Sequence, residues 1–305
     1  MAVDLSKSLV IGISSMALFD LTEADEVYRQ GGIDAFTTYQ MERVDNPLSP
    51  GAAFPLVKAI LRLNEKARPK RRAEVIVMSR NTPATSLRMF NSIKHHGLDI
   101  QRAALTGGQP ISRYLDAFSV GLFLSSNEAD VQDAIDAGVA AGLLYDLPGD
   151  FEQPIDQIRI AFDADAVVFS DESERVYKAN GLESFLDHER QNARRPLLDG
   201  PFAKLLRALS FLQSDPSFEK PPVRIALVTA RNMPAHERVI RTLLAWNVRV
   251  DEAFFMGGVP KTKVLEAFGP HIFFDDQDVH CAPASKVVPT ARVPYPCHSP
   301  LADSA

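Results

Sequence analysis

The chain has 305 residues, 46% of them hydrophobic and 24% charged, with a formal net charge of -6. That length sets a prior of two domains or one large one and suffices to bury a full core without staples. The acidic balance argues against nucleic acid as a partner, Cys281 and Cys297 have no zinc or disulfide-framework spacing, and no apolar run is long enough to span a membrane.

The N-terminal stretch MAVDLSKSLVIGISS carries an early acid and a short apolar run, which reads as a core strand rather than a signal peptide. With the sparse cysteines it points to a reducing, cytoplasmic location. A helix pattern comes next (FPLVKAILRL), then the basic run RPKRR (68–72), read as a solvated loop. A second strand, EVIVM, leads through a Pro-containing turn into a helix over Thr85–His95. The strand RAAL, the turn Gly107-Gly108, a short helix and the strand VGLFL complete the first half. A Pro- and Gly-bearing link, DLPGDFEQPID (146–156), separates the first half from the second. The second half repeats the plan: IRIAF, the helix AKLLRALSFL, RIALV, a helix over Ala235–Trp246, EAFFM, Gly257-Gly258 and HIFF. The last two dozen residues are Pro-rich and are expected to wrap the surface or fray.

The repetition extends to individual residues. Arg80-Asn81 matches Arg231-Asn232, Pro83 matches Pro234, and Pro110 matches Pro260. Upstream, SSMALFDLTEADEVY (14–28) matches DADAVVFSDESERVY (163–177), all in one order at an offset of about 150 residues. Strands alternating with helices imply parallel sheets built from βαβ units. Strand runs without clean alternation imply that both sheet faces are covered. The expected halves are residues 1–150 and 151–305.

The differences between the halves carry the chemistry. Where the second half has Asp163 and Asp165 after its first strand, the first has Ser14 and Met16. Lys261 stands opposite Ile111, and Asp275-Asp276 opposite Ser125-Ser126, whereas Thr229 and Ser79 share a hydroxyl. Singly, each feature is ordinary: a D-x-D is usually a turn, a Thr at a strand end a helix cap, a Lys after Gly-Gly solvated. Together, at strand ends and absent from a duplicate that keeps the framework, they describe a ligand site at the C-terminal edge of a parallel sheet. Clustered carboxylates call for a divalent cation, and oxygen ligands favour magnesium. Lys261 faces an anion, and Thr229 precedes a helix start that favours phosphate. The set points to magnesium-dependent phosphoryl transfer. Asp20, in FDLTEAD, aligns with Phe169 rather than Asp163 and is given a structural or second-domain role. His95-His96 closes a helix in the ordinary way, and His280 is given little part in the site.

In this order DADAVVFSDES, LVTARN, GGVPK and HIFFDDQ resemble the four motifs of haloacid dehalogenase-like phosphohydrolases. With MALFDL, MSRNTP, TGGQPISRYL and LFLSSNEADV, nearly all of residues 8–297 resembles the cytosolic 5'-nucleotidase type I family. Ala166 departs from the superfamily's glycine after the second Asp, a change that leaves the implied chemistry unaltered. The resemblance implies an α/β fold of two tandem dehalogenase-like halves with parallel sheets. The first would be degenerate and non-catalytic, the second catalytic with a small cap at about 178–222. It implies hydrolysis of nucleoside 5'-monophosphates with Mg2+, the alternative being a phosphatase or phosphotransferase acting on another small phosphate ester. Asp163 would be the nucleophile and Asp165 the acid and base. Thr229, Ala230, Arg231 and Lys261 would hold the phosphate, and Asp163, Asp165 and Asp275 or Asp276 the metal. A regulatory nucleotide and a homo-oligomer are left open, and the first half's loops around Ser14–Asp20 and Arg80–Pro83 are placed either beside the cleft or in packing.

Overall fold

The computed structural model describes residues 4–67, 71–149 and 157–302. The expected link lies outside the described residues from position 150 to 156, and so do Arg68, Pro69 and Lys70 of the basic run. The first half contributes β1 (Leu9–Ile13), β2 (Ala73–Ser79), β3 (Arg102–Leu105), β4 (Leu122–Ser125) and β5 (Ala140–Leu144). The second contributes β6 (Ile158–Phe162), β7 (Val223–Thr229), β8 (Glu252–Phe255), β9 (Ile272–Asp275) and β10 (Thr290–Arg292).

These strands form one ten-stranded sheet in the order β3-β2-β1-β4-β5-β10-β9-β6-β7-β8. Each half has the same internal order, and within each half every pairing is parallel. The two are joined where β10 meets β5 antiparallel, with Ala291 opposite Leu144. That single antiparallel junction has a large consequence. It points the strands of one half against those of the other, so their C-terminal edges lie on opposite edges of the sheet. Of the two placements left open for the loops at Ser14–Asp20 and Arg80–Pro83, beside the cleft of the second half or in packing, the junction excludes the first. The loops border the far edge.

β5 and β10 are absent from the strand pattern read in the sequence. The tail also departs from expectation: Ala291 and Val293 are fully buried, and Tyr295 and Leu301 nearly so. A strand at the centre of a sheet exposes neither edge, and β10 fills the gap between the halves.

The crossover helices α2 (Phe54–Lys66) and α6 (Ala203–Gln213) bury one face each. α3 (Leu87–His95) comes after β2, α4 (Glu128–Asp136) after β4 and α7 (His236–Ala245) after β7. One continuous core runs from Val10 and Ile76 to Phe274 and Ala291, with Phe162 stacked on Phe274 at 5.6 Å between centroids.

After the first strand of each half comes a helix broken at glycine: α1 (Thr22–Glu42) at Gly32, φ 70°, and α5 (Glu172–Gln191) at Gly181, φ 77°. In a straight helix residues sixteen apart are about 24 Å apart. Yet Tyr39 donates to Glu23 at 2.8 Å and Ser173 donates to Glu189 at 2.8 Å. Each helix therefore doubles back at its glycine into a two-armed hairpin, which the positive φ permits at little cost. The span expected as a cap, 178–222, divides: its first part is the second arm of this hairpin, while α6 lies against the sheet. The hairpin is present in both halves.

Arg71 and Arg72, the described part of the basic run, are not a solvated loop. Arg71 pairs with buried Glu74 at 2.7 Å and Asp99 at 2.6 Å, and Arg72 reaches Asp215 of the other half at 2.7 Å.

Candidate active site

β6 ends at Phe162, and the backbone N–H of Asp163 donates to Phe274 O of neighbouring β9 at 2.7 Å. That bond fixes Asp163 at the sheet edge before the chain leaves it. A single π-type turn, Ala164–Val168, returns the chain to the interior, with Val167, Val168 and Phe169 fully buried. The turn needs Ala166 in the left-handed region at φ 60°. Glycine there would relieve about 1–2 kcal/mol but would give up a buried methyl and chain stiffness of similar worth. Ala166→Gly is thus expected to keep the melting temperature within about 3 °C and turnover unchanged. A large loss of either would show that the methyl does more.

β9 delivers Asp275 and Asp276 beside Asp163, and the turn after β8 delivers Lys261 at the start of α8 (Thr262–Phe268). The Lys261 ammonium donates to Asp163 Oδ1 at 2.5 Å and to Asp275 Oδ2 at 2.6 Å. The four side chains are almost wholly removed from solvent: Asp163 is 6% exposed, Lys261 4%, Asp275 0% and Asp276 3%. Burial pushes the Asp163 carboxyl up to about 7, against the pull of Lys261 and with the help of Asp275 and Asp165. Burial, then the charges of Asp275 and Asp163, raises Asp276 well above the usual carboxylate range. Burial alone would depress Lys261, but Asp163 and Asp275 outweigh it and hold its pKa above the ordinary lysine value. The cluster thus has more carboxylates than its one ammonium can neutralise.

Asp276 Oδ2 accepts from the Tyr295 hydroxyl, while its Oδ1 is buried without a hydrogen-bond partner. Among the described residues no group of three or more His, Cys, Asp or Glu side chains is arranged to hold a metal ion. A magnesium ion needs fewer, since it keeps several waters and uses one or two carboxylates together with substrate phosphate oxygens. The orphaned oxygen and the excess of carboxylates fit such an ion.

Asp165 lies apart from this group. Both its oxygens are taken by Arg231, Nε to Oδ2 at 2.7 Å and Nη2 to Oδ1 at 2.6 Å. Arg231 is 3% exposed and also pairs with Glu189 on the hairpin. Glu189 in turn accepts from Arg238 at 2.9 Å. In this arrangement the guanidinium expected to hold phosphate is committed to Asp165, Glu189 and the carbonyl of Ala235. It acts as a clamp between the turn and the hairpin. Thr229 is buried at the end of β7, and its hydroxyl accepts from the Arg231 N–H at 3.2 Å, while Ala230 is exposed. Asp20 accepts from the Thr22 N–H at 2.9 Å at the start of α1.

Sequence reasoning missed Glu189, Arg238, Tyr295 and Glu174. Burial, then Asp165, raises the Glu174 carboxyl above its ordinary value, which places it in the site's electrostatic field. A signal for Glu189 was present. Its counterpart is Gln40, also buried, and Arg88 reaches Gln40 at 3.4 Å as Arg238 reaches Glu189. The contrast of charge in one half with neutrality in the other extends into the hairpin.

The sequence model of the 5'-nucleotidase family matches residues 1–300. The chain belongs to the 5'-nucleotidase family. It is 36% identical over 290 residues to cytosolic 5'-nucleotidase 1B of Homo sapiens, a match covering 92% of this chain. The chain spans 48% of that relative's length. Among solved structures, histidinol dehydrogenase from Elizabethkingia anophelis aligns over 82% of this chain and 51% of its own, at 10% identity and a TM-score of 0.23. At that score the likeness bears on neither fold nor function. No helix among the described residues is long and apolar enough to cross a membrane.

Proposed function

We propose that the second half hydrolyses nucleoside 5'-monophosphates to nucleoside and phosphate through an aspartyl-phosphate on Asp163, by dehalogenase-like chemistry in the cytosol. The observation that carries this reading is the buried cluster of Asp163, Lys261, Asp275 and Asp276 at one sheet edge, in a chain of the 5'-nucleotidase family.

Asp163, the backbone carbonyl of Asp165, and Asp275 or Asp276 would hold Mg2+, the orphaned Oδ1 of Asp276 being the oxygen with capacity to spare. When bound, the ion supplies charge that offsets the phosphate and the carboxylates. An Asp163 oxygen attacks phosphorus, the bond to the 5'-oxygen breaks, and that oxygen leaves with the electron pair and takes a proton from Asp165. Water then attacks phosphorus, Asp165 takes its proton, and phosphate departs with Asp163 restored. Lys261 stabilises the charge on the transferring group. Because Arg231 grips both oxygens of Asp165, the proton step requires that pair to open. Glu189 ties the opening to the hairpin.

The test is phosphate release from a panel of nucleoside 5'-monophosphates and sugar phosphates, in chelator and after added magnesium. Release from the nucleotides, absent in chelator and restored by magnesium, is expected. Preference for sugar phosphates would favour a general phosphatase, phosphate passed to an added nucleoside a phosphotransferase, and full activity in chelator would remove the metal.

A further inference from the structure

The half without the acidic cluster has kept a cavity. It measures about 540 Å³, within the range of small-molecule sites, and opens at the C-terminal edge of β1, β2 and β4. Its walls include Ser14, Ser79, Ser125 and Ile111, the residues that stand where the other half has Asp163, Thr229, Asp275 and Lys261. At the positions where one half has Asp163, Asp275 and Lys261, this cavity thus has uncharged side chains.

What remains charged there is already paired. Arg80 is the cation among the lining residues, and Asp130 accepts its Nε at 2.7 Å and pairs with its Nη2. Asp25, also in the wall, pairs with Arg29 at 2.6 Å. Ile111 is 1% exposed and offers a phosphate nothing. A phosphate entering this cavity would lose its hydration and meet two carboxylates without a free ammonium.

The parts that suit a ring and a sugar are kept. Tyr28, Ile33 and Phe36 of the α1 hairpin line the cavity, matching Tyr177, Leu182 and Phe185 of α5. Tyr28 meets Phe36 edge-on at 6.0 Å, as Tyr177 meets Phe185 at 6.2 Å. Tyr28 and Ile33 are each 51% exposed and Met16 39%, so an apolar rim stands open to solvent. Beneath it, the hydroxyls of Ser15 and Ser79 lie 3.0 Å apart. Apolar walls with a few convergent hydroxyls recognise a flat ring bearing a hydroxylated sugar.

We propose that this cavity binds a nucleoside, the ligand without its phosphate, at a site separate from the catalytic cluster and on the opposite edge of the sheet. The shape and charge argue for a neutral hydroxylated ring compound on their own. The choice of a nucleoside among such compounds rests on the proposed reaction, whose product is one.

The test is calorimetric titration of the full chain with adenosine, and of the Asp163→Asn chain with AMP and with inorganic phosphate. Met16→Trp fills the rim and Tyr28→Ala removes the ring, and both positions are exposed enough to spare the fold. Adenosine is expected to bind, each variant to weaken it by about tenfold or more, and turnover of a nucleoside monophosphate to stay as in the parent chain. AMP and phosphate are expected to show no component that these variants remove. Adenosine binding that neither variant moves would place the nucleoside in the catalytic half alone and overturn the proposal. So would a phosphate or AMP component lost in both variants, or no adenosine binding at all. Because the adenosine arm needs no turnover, it can succeed even if the proposed hydrolysis is wrong.

Discussion

Asp163→Asn is expected to reduce phosphate release on the order of 10⁴-fold or more while the melting temperature changes little. The amide is nearly the same size as the carboxylate, and the bond that sets the position, Asp163 N–H to Phe274 O, belongs to the backbone. What disappears is the attacking oxygen and one ligand of the proposed metal. The stability terms oppose one another. Lys261 loses one of its two carboxylate partners, but a buried carboxyl whose charge burial already disfavours is also removed, and Asp275 and Asp276 face less repulsion. Phosphate release and thermal unfolding on the same preparation separate the two effects. A variant that kept even a tenth of the activity, a barrier change of only about 1.4 kcal/mol, would rule out Asp163 as the nucleophile.

Residues that repeat were legible, and so was the contrast between repeats. The Gly-Gly turns, the strand ends and the crossover helices arise from local patterns that occur twice. The carboxylates stood out because Ser14, Ser125 and Ser126 occupy the matching places. What escaped notice depends on contacts between distant segments. β10 is three residues among prolines, and its burial comes from pairing with β5 and β9, not from a run of its own. The opposed direction of the two halves has no sequence mark, because it is decided by that one pairing. Tyr295 lies just beyond β10 and was set aside with the tail, although Tyr145 stands about 150 residues before it. The partners of Arg231 were illegible for another reason. The arginine is shared with Arg80, and its role turns on the partner it meets: Asp130 for Arg80, Asp165 and Glu189 for Arg231.

Lys261→Met is expected to lower turnover by about 10²–10³-fold and, in chelator, to lower stability by about 3–5 kcal/mol. Methionine has a similar length and no charge, so packing changes little while the electrostatics change fully. The ammonium is hydrogen-bonded to both Asp163 and Asp275. Without it three carboxylates, Asp163, Asp275 and Asp276, share a site from which water is excluded. Losing one partner of a buried ion pair costs more than the pair contributes, because the abandoned charge stays buried. Magnesium then discriminates between two accounts of the lost activity. If the carboxylates hold the ion, added magnesium binds the folded variant and restores part of its melting temperature by linkage. The turnover defect persists, since the charge offered to the phosphate is still missing. If the loss of stability were mere loosening of a loop, magnesium would return nothing. Unchanged turnover together with unchanged melting in chelator would make Lys261 a bystander, and the contrast with Ile111 would carry no chemistry.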